Sequence, residues 1–178
     1  MKKNFLTILI ISLMLLGFNE IKAVEIAVVN IEEIAKNSLA INKLNKDLNQ
    51  KKDNLQKKFR DTEIKLNAKR DDIASKSSIL SQEAMQKKAM EFQQEVMEFQ
   101  EEVKKEETNL QQELMEGLSV VNEQVEKIIL EIKKEEQYKK YNFIINSASL
   151  LYFEEKDDIS SEVLKRLNKK LPIIKNTK

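Results

Sequence analysis

The chain contains no cysteine and no histidine, one proline and two glycines, and aromatic residues make up only 6% of it. Without cysteine there is no disulfide, no thiol nucleophile and no thiolate metal site. Without histidine the commonest general base and the commonest zinc ligand are gone. Carboxylates alone can hold a hard cation, but here they follow helical surface positions, and no glycine-containing calcium loop accompanies them. The glycines, Gly17 and Gly117, build no phosphate-cradling loop. These absences argue against an enzyme, a cofactor or a bound metal. Charge of one sign is missing too: 31 basic and 30 acidic residues leave a net +1. Nucleic acid, which demands a concentrated positive field, is excluded as an expected partner.

What is present in quantity is charge, 34% of the chain, interleaved with aliphatic residues. Such a composition favours long solvated helices that bury one narrow stripe, and helices of this kind favour oligomers. The chain opens differently. Lys2 and Lys3 precede about 14 mostly apolar residues, 5–18, and Ile21-Lys22-Ala23 forms a small-residue cleavage site before Val24. At ~1.5 Å per residue the run reaches roughly 21 Å, short of a ~30 Å hydrocarbon core. A cleaved export signal over residues 1–23 is expected, and with it a periplasmic location. Its removal takes away three lysines and one glutamate, leaving 28 basic and 29 acidic residues.

Residues 24–31 (VEIAVVNI) are rich in β-branched side chains and read as a strand, with Ile26 and Val28 on one face and Ala27, Val29 and Ile31 on the other. Residues 32–36 begin a helix that breaks near Asn37-Ser38. A first long helix then carries Ile41, Leu44, Leu48, Leu55, Phe59, Leu66 and Ile73. The stripe lapses at Ser75-Lys76-Ser77-Ser78, which predicts a turn, with Ser81 as the next N-cap. From Met85 it resumes through Phe92, Phe99, Leu110, Leu118, Val125 and Ile132. Residues 43–76 hold 11 basic and 6 acidic side chains, whereas 83–136 hold 7 and 15. This asymmetry favours an antiparallel hairpin over pairing of identical helices. Residues 141–146 (YNFIIN) and 150–153 (LLYF) read as two strands around Ser147-Ala148-Ser149. Asp158 is placed to cap a closing helix with Val163, Leu164 and Leu167, stopped by Pro172.

The expected fold is therefore mainly α with a small β body. A long antiparallel coiled-coil helical hairpin projects from a small sheet formed by the N- and C-terminal strands. The chain divides into a signal (1–23), the N-terminal strand and start of the body (24–37), the hairpin arm (38–137) and the C-terminal strands and helix (138–178). Apolar density assigns the oligomer body to Ile26, Val28, Phe143, Ile145 and Leu151. The hairpin tip, 65–90, gathers Lys69, Arg70, Lys76, Lys87 and Lys88. It reads either as an ordinary solvated helix end or as a contact for anionic lipid head groups or acidic segments of another chain.

Order and content together resemble the Skp/OmpH family of periplasmic chaperones. The residues that carry the resemblance are Ile26-Ala27-Val28-Val29-Asn30 near the mature start and, in 141–167, the strand, small-residue turn, second strand and closing helix. It implies a homotrimer in which the N- and C-terminal strands form a small barrel on oligomerisation, with three hairpins around a cavity. It further implies an ATP-independent holdase that shelters unfolded outer-membrane proteins before membrane insertion. The family's better-known members are strongly basic, so the near-neutral charge here speaks against a lipopolysaccharide partner. The competing class is a structural or adhesive coiled-coil protein of the cell envelope, for which strands joining both chain ends would serve no purpose.

Overall fold

The structure, a computed structural model, describes residues 24–174; the expected export signal lies outside them. The chain runs β1 (Glu25–Val29), α1 (Ile31–Asn37), α2 (Leu39–Ser75), α3 (Gln82–Ile132), β2 (Tyr141–Asn146) and α4 (Ser160–Lys170), with short 3-10 turns at Glu136–Tyr138, Ser147–Ser149 and Glu155–Asp157. The first three helices start from polar caps. The Asn30 side chain accepts from Glu33 N, Ser38 from Ile41 N and Ser81 from Ala84 N, satisfying N–H groups that a helix cannot pair internally. Asp158 Oδ1 accepts from Ser160 N at 2.8 Å and so serves the start of α4. The predicted turn after Ser75 is where α2 ends, and Ser81 is the cap from which α3 departs.

β1 and β2 pair in parallel, Ile26 opposite Phe143, Ala27 opposite Ile144, Val28 opposite Ile145. A parallel pair needs a long crossover, and here the whole helical hairpin supplies it. Ala27 and Val29 turn into one core with Ile34, Ala40, Ile41, Val121, Val125, Ile128, Ile132, Val163 and Leu167. Ile34, Ile128, Ile132 and Leu167 are among the largest fully buried side chains. Full burial of such a side chain stabilises the fold by about 1.5–3 kcal/mol. α4 closes this core and is stitched to the end of α3. Arg166 reaches Glu135 at 2.5 and 3.0 Å and Glu162 at 2.7 Å, and Lys170 pairs with Glu131.

One expectation fails. Residues 150–153 form no strand; Leu151 and Tyr152 are fully and 80% exposed. Their β propensity is real, but they pair with neither β1 nor β2. The far edge of β1 is taken instead by Asp158, through a parallel bridge to Val28 and a hydrogen bond from Ile159 N to Val28 O.

Candidate functional site

Two surfaces stand out, and neither is a catalytic cleft. The first is the outer face of the sheet. Ile26 is 37% exposed and Phe143, opposite it, 57% exposed, with Ile145 half-buried beside them and Leu151 beyond. Val28 shares this side of β1 yet is buried, held between Ile145 and Asp158. Of the five residues assigned to the body from sequence, one is therefore interior and four leave apolar surface uncovered. An apolar sheet face beside the outer edge of β2 is a ready template for another chain.

The second surface is the arm. From Asn45 to Glu116 no residue is buried; the stripe residues of both helices are half-covered. Phe59 and Phe99 meet edge to face, ring centroids 5.9 Å apart. Lysines of α2 reach glutamates of α3 at Lys51–Glu113, Lys58–Glu102 and Lys69–Glu95, the pairing anticipated from the charge asymmetry. Each exposed pair is worth little in energy but together they favour this register. A recess of about 360 Å³ opens over Leu66 and Phe99, rimmed by Lys65, Lys69, Glu95 and Glu102.

At the tip the structure separates the five predicted cations. Lys69 is committed to Glu95, Arg70 to Asp71 and Lys76 to Asp72, whose carboxyl the Lys76 hydrogen bond holds below its usual range. Lys87 and Lys88 enter none of the ion pairs among the described residues. At the turn itself Ile79 is 78% exposed.

The sequence stripe passed over several exposed apolar residues because they lie out of phase with it. Met90, Met97 and Met115 are each more than half exposed, as is Ile64. Met90 and Met97 are seven residues apart and Met115 stands 18 residues further on, five helical turns, so all three fall on one flank of α3. The legible signal was apolar character off the seam. Among the described residues no group of three or more metal-ligating side chains comes together, and no helix is long and apolar enough to cross a membrane.

The model of the OmpH-like outer membrane protein family matches residues 25–167. No curated protein matches the chain. Among solved structures, a candidate outer membrane chaperone (OmpH-like) from Caulobacter crescentus CB15 superposes with a TM-score of 0.76 over 89% of this chain and 92% of its own. Sequence identity is 13%, so this likeness concerns the fold.

Proposed function

Since the chain belongs to the OmpH-like outer membrane protein family, we propose that it is an ATP-independent, non-enzymatic holdase of the periplasm. It binds unfolded outer-membrane proteins between its helical arms and keeps them from aggregating before membrane insertion. The observation that supports this most directly is the arm itself: two long helices with no buried residue between Asn45 and Glu116, and exposed methionines along one flank. An unfolded β-barrel chain displays alternating apolar side chains and open strand edges. Flexible thioether side chains suit many such segments without requiring any single one.

In this reading residues 1–23 are the cleaved signal, 38–137 the arm, and 24–37 with 138–178 the body. The body assembles as a homotrimer through Ile26, Phe143, Ile145 and Leu151, which a lone chain leaves uncovered, while Val28 stiffens the strand from within. Lys87, Lys88 and the exposed Ile79 give the tip a cationic, partly apolar end suited to an anionic membrane surface at delivery.

The test is suppression of aggregation of a denatured outer-membrane β-barrel protein, followed by light scattering on dilution from urea. The mature protein is expected to suppress it as an oligomer of defined mass. Deleting residues 66–92 should leave the oligomer intact and abolish suppression. Full suppression by the shortened protein would refute the arm as the client site. Binding to anionic vesicles should weaken in high salt and in the variant with Lys76, Lys87 and Lys88 replaced by Gln; unchanged binding would remove the tip from the proposal.

A further inference from the structure

The family match ends at Leu167, but the described chain runs on to Ile174 and does something definite there. α4 closes with Leu171 N donating to Leu167 O at 2.7 Å. Pro172 then forbids further helix and holds Leu171 in a non-helical conformation, φ −134° and ψ 68°. The chain turns back so that Leu171 and Ile174 pack on the core, while Pro172 and Ile173 between them stay exposed.

Ile174 seats at the root of the hairpin. A Cβ built on Gly117 would lie 3.4 Å from Ile174 Cδ1 and 2.5 Å from Leu44 Cδ2. Ile174 also lines a recess of about 240 Å³ with Leu44 and Leu48 of α2 and Glu113 of α3. The level is telling. Leu44 is the last buried residue of α2 on the way out, and Gly117 the first of α3 on the way back. The arm therefore leaves the body at a place where three chain segments meet over a glycine. Within a helix, glycine is about 1 kcal/mol less favourable than alanine and marks a soft point; here it makes room for Leu44 and brings Ile174 within contact.

We propose that residues 171–174 form a strap that clamps α2 and α3 together at the root and limits how far they part there. Among the described residues the strap packs on the core through Leu171 and Ile174, with Pro172 and Ile173 exposed between them, so it can lift without unfolding the body.

Hydrogen exchange on the purified protein tests this without any client, so its outcome is independent of the holdase reading. In Ile174→Ser, and in a variant ending at Leu171, amides of residues 41–48 and 113–121 should exchange on the order of tenfold faster. Those of β1, β2 and α4 should keep wild-type protection. Ile173→Ser, altering the exposed neighbour, should behave as wild type. Unchanged exchange at the root in both variants would overturn the strap. So would acceleration spread equally across β1 and β2, which would make Ile174 ordinary body core.

Discussion

α3 uses the same three-and-four spacing along its whole length, yet its two ends are held in different ways. From Val121 to Ile132 its stripe residues Val121, Val125, Ile128 and Ile132 are at most 6% exposed, whereas Phe92, Val96, Phe99 and Val103 remain half-exposed. The difference is the number of layers. At the root the stripe meets α2, the sheet and α4, which cover it from several sides. Along the arm it meets one helix, and a two-helix contact always leaves the flanks of its seam wet. Periodicity therefore says which face is apolar but not how thoroughly that face will be covered.

The sharpest way to break this contrast is at the body. Val28→Asp places an uncompensated carboxylate at a position only 2% exposed. It should cost about 3–5 kcal/mol and abolish cooperative unfolding of the body in a denaturant titration followed by circular dichroism. A wild-type midpoint would mean that β1 is not interior.

A matched pair measures the contrast directly. Ile128→Ala, in a fully buried site, should cost about 2–5 kcal/mol. Phe99→Ala, on the half-exposed arm, loses the edge-to-face contact with Phe59 and should cost about 1–2 kcal/mol. Its effect should appear as faster amide exchange confined to the arm. If both variants shifted the global midpoint equally, arm and body would be one cooperative unit.

Acid probes the body through a single carboxylate. The hydrogen bond from Arg166 holds the Glu135 carboxyl below its ordinary value of 4.5. A carboxyl depressed in the folded state contributes stability that is fully present above its unfolded value. That contribution is lost as pH falls below about 4.5 and through the folded value. Glu135→Gln should flatten this part of the stability-versus-pH curve of the body while leaving neutral-pH helicity of the arm unchanged. An identical acid profile would mean that the Arg166 bridge does not hold α4.

The smallest expected effect lies at the boundary. Gly117→Ala gains up to about 1 kcal/mol of helix propensity, but its Cβ must displace Leu44 Cδ2 from 2.5 Å. The net change should stay within about 1 kcal/mol of zero. In a Leu44→Ala background the obstruction is gone, and the same substitution should become stabilising by about 1 kcal/mol. Additivity of the two changes in thermal unfolding would dissociate Gly117 from Leu44.

Much of this was readable from residues. The three serines and lysine after Ala74 announced the turn, Ser81 its far cap, and Pro172 the end of α4. The acidic bias of residues 83–136 anticipated which helix would face which. The candidate surfaces were readable in part. Phe143 and Leu151 were visible as apolar residues in a chain poor in them, but nothing local distinguished their exposure from the burial of Val28. The methionine flank escaped because a search for periodic apolar residues discards those out of phase.

Local chemistry alone determined the helices, their caps and the strand-forming ends, because caps, breakers and side-chain period act within a few residues of themselves. Only the tertiary structure decided that β1 and β2 run parallel, since that depends on a crossover of more than a hundred residues returning to the same place. It decided as well that residues 150–153 stay unpaired, while Asp158 takes the far edge of β1. And it gave Gly117 its meaning: in the sequence a mild defect in a helix, in the fold the gap through which Leu44 and Ile174 approach.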